Sequence, residues 1–217
     1  MWPSRVRPKE RSCASSPPPP LDRPRPAPAG RRVHMDEPGA LHLLADAIRE
    51  RLPVHPLPLP IVVVCVGSDR STGDALGPLV GTRLSRRLSP AVAEIRGTLD
   101  RPVHAANLSE NIKDLTPDRL VIAVDACLGS AENVGTVCVK DGALHPGTGV
   151  NKTLPCVGDF HIVGVVNVGG FMEYFVLQNT RLGLVVRLSE LVADSLCLAL
   201  EEHAQCGARQ VAASREL

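Results

Sequence analysis

The segment Ile61–Gly67 reads IVVVCVG, an unbroken run of β-branched and apolar residues closed by glycine. A strand with one face in water alternates apolar and polar side chains. A run without polar interruption has both faces covered, as in a parallel sheet flanked by helices. Two more runs have this character, RLVIAVDA at Arg119–Ala126 and HIVGVVNVGG at His161–Gly170, and shorter strands are expected at Ala93–Leu99 and Gly135–Lys140. Helical periodicity falls between the strands. After Gly39, ALHLLADAIRERL sets Leu41, Leu44, Ala45, Ile48 and Leu52 on one face, and Pro53, Pro56, Pro58 and Pro60 end that helix. Further helices are expected over Ala75–Leu88, Leu108–Leu115 and Phe171–Glu202, the last broken near Asn179. Strands alternating with helices need crossover connections, so the expected architecture is an α/β three-layer αβα sandwich around a mainly parallel sheet. A chain of 217 residues supplies one such core, and with aromatics at 2% the core has to be aliphatic.

Residues 1–34 stand apart. They hold nine prolines and eight Arg or Lys against Glu10 and Asp22, too little apolar surface to offset the entropy of ordering, so a disordered tail is expected. The composition changes at Met35, which reads as the start of the single α/β domain, residues 35–217, and as an alternative initiator. With the basic tail removed the chain is acidic on balance, which argues against nucleic acid as a partner. The seven cysteines form no CxxC pair and several lie in apolar runs, a pattern of buried thiols in a reducing compartment rather than of disulfides or a zinc site. No apolar run has the length of a membrane span, and the N-terminus lacks the apolar stretch of a secretory signal. A cytoplasmic protein without a membrane partner is the expectation.

In open parallel sheets ligands bind beyond the carboxyl ends of the strands. GSDRSTGDALGP (Gly67–Pro78) follows the first long run, and DACLGS (Asp125–Ser130) ends the next. Each delivers a carboxylate to one rim, Asp74 and Asp125. As a plain structural residue Asp74 is a helix cap. Asp125, emerging from LVIAV, is in an apolar setting that raises its pKa, and two such groups within reach of one another share a proton and act as general base and general acid. The same rim with His161 or His104 is the alternative, a divalent-metal site, ranked below the carboxylate pair. No other cofactor is signalled: the glycines of the first loop match neither GxGxxG nor GxxxxGK[ST]. Cys127 is read as a small buried filler. Phe171, Met172, Tyr174 and Phe175 are expected to pack the last helix on the sheet, with a peptide-binding wall as the alternative.

The segments IVVVCVGSDRSTGDALGPLVGTRL, GTLDRPVHAANL, LVIAVDACLG and VGDFHIVGVVNVGGFMEYFVLQNTRL closely resemble the sporulation protein family YyaC of spore-forming Firmicutes, from about Pro60 to Leu188. That family is similar to the spore germination protease and, more distantly, to the hydrogenase-maturation proteases, which share a three-layer αβα fold. The resemblance implies that Asp74, in GDALGP, and Asp125, in AVDA, match the germination protease's two catalytic aspartates. In the maturation enzymes the corresponding positions, with a His, bind a metal; Asp74 stands where those enzymes carry Glu. The implied function is an aspartic-type endopeptidase of sporulation, acting on a protein or peptide in the cytoplasm of the sporulating cell or spore. A non-catalytic factor binding a peptide at the same site, or a metal-recognising maturation-type protease, is the alternative. Within the matched segments Ser71, Thr72, His104, Asn107, Asp159 and His161 are expected to bind substrate.

Overall fold

A computed structural model describes residues 30–53, 59–147 and 154–215. Along the chain the elements are β1 (Arg31–His34), α1 (Ala40–Arg49), β2 (Ile61–Cys65), α2 (Leu76–Arg87), β3 (Glu94–Arg96), α3 (Leu108–Ile112), β4 (Leu120–Gly129), β5 (Thr136–Asp141), β6 (Phe160–Val168), α4 (Glu173–Gln178) and α5 (Leu182–Arg215). Short 3-10 turns at Gly73–Ala75 and Ala131–Asn133 precede α2 and β5.

The six strands form one sheet in the order β1-β5-β6-β4-β2-β3. β3, β2, β4 and β6 run parallel, whereas β5 is antiparallel to both β6 and β1. The uninterrupted apolar runs are the inner strands: all five residues of β2 and the first five of β4 are buried. One face carries the larger core, where Leu44 and Ile48 of α1, Leu76, Val80 and Leu84 of α2, and Leu188, Leu196 and Leu200 of α5 meet Val63, Ile122 and Ile162 of the sheet. On the other face Val62, Val64, Val121 and Val163 are covered by Leu108 of α3 and by Val103, Leu144 and Val157 from connecting segments. The architecture is the expected three-layer one, with a thinner second layer because only α3 lies on that side.

Two expectations are corrected. Arg31–His34, assigned to the disordered tail, pairs with β5 in register from Arg31↔Val139 to His34↔Thr136 and buries Val33; residues 1–29 lie outside the described ones. The local sequence reads as tail because only one of the four residues is apolar, and the partner strand supplies the rest. Phe171, Met172, Tyr174 and Phe175 do not pack α5 on the sheet: they are exposed, Phe171 by 88%. The helix break near Asn179 is found, and it separates α4, whose Val176 carbonyl accepts from Asn167 Nδ2 at the end of β6, from α5, which packs beside α1 and α2 on the sheet. The aliphatic residues of α5 fill its side of the core without them. None of the described cysteines forms a disulfide. No helix of the described residues is long and apolar enough to cross a membrane.

Candidate active site

Strand order dictates where a site can form. From β2 the chain leaves through α2 to β3 at the sheet's outer edge, then returns through α3 to β4 on the opposite side of β2. This is the reversal at which the carboxyl ends of two neighbouring parallel strands part and leave a crevice. A cavity of about 510 Å³ occupies it, with Gly67, Asp74, His104, Asp125 and Cys127 in its wall.

The glycines that follow β2 bring the loop hard against the sheet. A Cβ on Gly67, whose φ is 141°, would lie 2.0 Å from the Asp74 carbonyl oxygen, and one on Gly77 would lie 2.0 Å from the Val66 carbonyl oxygen. Only hydrogen atoms fit at these approaches. The Ser68 N–H donates to the Asp74 carbonyl at 3.1 Å and closes the loop. These glycines therefore serve the close packing of the Asp74 loop against the end of β2.

Asp125 is the sixth residue of β4, at the point where β4 outruns β2: the last pair between those strands is Cys65↔Val124. Burial raises its pKa well above the ordinary carboxylate range, the neighbouring Asp74 charge raises it further, and the Ala126 N–H, donating to Oδ1 at 2.8 Å, opposes the shift weakly. Asp74 is also raised by burial, but the Ser68 N–H and the nearby His104 pull it back. Two carboxyls whose charges interact, both raised by burial, favour a state in which the pair carries a single proton. Cys127, two residues on, has its thiol pushed up to about 11 by burial, so near neutrality it is a thiol and a wall residue rather than a nucleophile.

The remaining expected residues separate into two groups. Ser71 and His104 line the cavity. Ser71 Oγ is buried with no hydrogen-bond partner among the described residues, an unsatisfied hydrogen-bonding group in the wall of a site. His104 Nδ1 accepts the Ala106 N–H at 3.2 Å, which sets the orientation of the ring. Asn107 is not in the wall. Its Oδ1 accepts the His104 N–H at 2.8 Å and its Nδ2 donates to the Pro102 carbonyl at 2.9 Å, so it holds the His104 turn. Thr72 begins the 3-10 turn that carries Asp74. Asp159 and His161 lie at the opposite end of β6: Asp159 Oδ2 accepts the Val121 N–H at 2.9 Å, and His161 Nδ1 is 2.8 Å from the Gly142 carbonyl. Among the described residues no three His, Cys, Asp or Glu side chains gather as a metal-binding group. The trio of Asp74, Asp125 and an imidazole is not among such groups.

Sequence reasoning missed Arg70, His145 and Glu173, which also line the cavity, as does Tyr174, for which a peptide-binding wall was the alternative reading. His145 Nδ1 lies 3.2 Å from Cys156 Sγ. Only the loop order of the folded chain brings the segment after β5 over to the β4 rim. Tyr174 lay within a recognised aromatic run.

The fold and its crevice define an α/β protein with a mainly parallel sheet and a carboxylate pair at the switch point of that sheet. Residues 32–195 match the family described as "Protein of unknown function (DUF1256)", and the chain belongs to that family. It is 56% identical over 142 residues to the Bacillus subtilis (strain 168) protein named "Uncharacterized protein YyaC", covering 64% of this chain and 69% of that one. Among solved structures it is similar to the NiFe hydrogenase maturation protease HycI from Thermococcus kodakarensis KOD1, at 19% identity and a TM-score of 0.46, over 66% of this chain and 93% of the other.

Proposed function

We propose that the chain is an aspartic-type endopeptidase in which Asp74 and Asp125 activate water against a peptide carbonyl, working in sporulation on a protein substrate. The observation that carries this reading is the carboxylate pair, two acids whose charges interact and whose pKa values are both raised by burial, in the wall of an open cavity. The matching of both residues to the aspartates of the germination protease supports it from sequence.

The chemistry follows from the proton's position. Asp74, ionised, takes a proton from water as its oxygen bonds to the carbonyl carbon, while Asp125, neutral, gives its proton to the carbonyl oxygen. The proton on Asp74 then passes to the leaving nitrogen as the C–N bond breaks, and the tetrahedral hydroxyl returns one to Asp125. Ser71 Oγ, unpartnered in the wall, is placed to bond the bound chain. Cleavage requires one acid ionised and one neutral, so its pH profile is bell-shaped. Because both acids are raised, its limbs lie above those of free carboxyls.

The test is incubation of the purified chain with a protein extract of dormant spores, followed by mass spectrometry of new peptide ends. Ends generated by the wild type and absent with Asp125→Asn and with Asp74→Asn are expected. Cleavage retained by both variants would remove the carboxylate mechanism; no new ends at any pH would leave the site as a peptide-binding module.

A further inference from the structure

Three of the chain's five aromatic residues fall between positions 171 and 175. Tyr174 is 57% exposed and Phe175 53%. Their rings meet edge to face with centroids 5.8 Å apart, and the Tyr174 hydroxyl accepts from Gln178 Nε2 at 3.0 Å, which fixes the ring. The platform is joined to the candidate active site: Glu173, Tyr174 and Leu177 belong to the same cavity wall as Asp74 and Asp125. The far end of α4 is seated directly on the carboxylate loop, where a Cβ on Gly73 would lie 2.8 Å from Leu177 Cδ2. A second feature opens onto the cavity. β4 continues to Gly129 paired only with β6, while on the β2 side its pairing stops once the Val124 carbonyl has accepted the Val66 N–H at 2.7 Å. Beyond it, Asp125–Gly129 has no strand partner on that side among the described residues, and Ala126, Cys127 and Leu128 line the cavity. By strand alternation the Ala126 main chain faces the same way as that of Val124; its N–H donates to Asp125 Oδ1 at 2.8 Å, which leaves its carbonyl as the acceptor on that edge.

A free strand edge takes an extended chain through main-chain hydrogen bonds, and an adjoining apolar surface selects among the side chains it carries. We propose that the occupant of this site is an extended peptide segment that adds along the free edge of β4 and lays a bulky apolar side chain on the Tyr174–Phe175 platform. This rests on the reading of the cavity as a peptide site and adds its substrate class. The edge places the peptide backbone beside Asp125, and the platform places the selected residue next to the bond facing the two acids. Exposed aromatic surface at the mouth of a cavity is costly in water unless something covers it, and the peptide covers it during each encounter.

The experiment uses full-length Asp125→Asn protein and fluorescein-labelled Ser/Thr peptides with Phe, Leu, Ser or Lys at the centre, read by fluorescence anisotropy, with cleavage by the wild type measured in parallel by mass spectrometry. The Phe and Leu peptides are expected to bind at least about tenfold tighter than the Ser and Lys peptides. Tyr174→Ser/Phe175→Ser is expected to erase that preference, and N-methylation of the Phe peptide's backbone to weaken it further. Equal binding of all peptides, no binding, or a preference that survives the double variant would overturn the proposal. A concentration-dependent dimer lost in the same variant, or in Phe171→Ser, would assign the platform to a second copy and overturn it too. Apolar selection without cleavage leaves the proposal standing and removes the peptidase reading; cleavage without selection does the reverse.

Discussion

Asp125 is held where a charge is disfavoured, and that has a measurable consequence apart from catalysis. Its folded-state pKa lies well above the value it has in an unfolded chain, so the contribution of the neutral carboxyl is fully present below the unfolded pKa, about 3.9. That contribution is lost as pH rises through the raised folded value, at about 1.4 kcal/mol for each unit of displacement. Asp125→Asn keeps the volume and the acceptor for the Ala126 N–H while removing the charge. The variant is expected to melt at or near the wild-type temperature at pH ~4 and above it near neutrality and beyond, as thermal denaturation across pH would reveal. A variant less stable than the wild type at every pH would mean that the ionised carboxylate is a structural group. At this scale Asp125 stands out in the sequence as a candidate, because an acid that follows a long apolar run has few structural reasons to be there, whereas Asp74 reads equally well as a helix cap and is singled out by the resemblance. The sequence could not separate Ser71 and His104 from Asn107, Asp159 and His161. Asp159 and His161 stand at the start of a parallel strand, the end of the sheet away from the crevice, whereas Asn107 differs from His104 only in which way its side chain turns within one loop, which local pattern does not contain.

The loop from β2 to α2 is the element on which the site depends, and its glycines separate two kinds of requirement. At Gly77 a methyl group would meet the Val66 carbonyl oxygen at 2.0 Å, and backbone cannot yield as a flexible side chain does. Gly77→Ala is therefore expected to lower stability by about 3 kcal/mol or more, among the larger single-residue effects. Gly183, near the start of α5, has nothing within 4 Å of its would-be Cβ; Gly183→Ala is expected to be neutral or to gain up to about 1 kcal/mol through helix propensity. Urea denaturation of both variants distinguishes them, and similar values would mean that the β2 loop moves outward at little cost. Long apolar runs made β2, β4 and β6 legible, and Asn179 marked the break after α4. The exposure of α4 was not legible, because aromatic residues at helical spacing read alike whether they face a core or a ligand. Only the packing of α5, completed by Leu188, Val192, Leu196 and Leu200, left them outside.

The sheet as a whole has two edges, β3 and β1, and the second depends on residues that the sequence assigns to a tail. β1 pairs with β5 and buries Val33, whose removal from water is worth about 1.5–3 kcal/mol. It also covers the edge of β5, where Val137, Cys138 and Val139 are buried. Without β1 that apolar strand becomes the edge, the configuration most prone to pair with another chain. A chain begun at Met35 is thus expected to melt at a lower temperature than one begun at Gly30 and to self-associate as concentration rises, by differential scanning calorimetry and size-exclusion chromatography. Identical melting would make β1 dispensable and Met35 a sufficient start. The strand order makes a further distinction, since β5 and β6 separate β1 from β4. Peptide binding at the carboxylate crevice, measured well below the melting transition, should be unchanged in the shortened chain. A loss of binding there without a loss of fold would mean that residues before Met35 reach the site themselves.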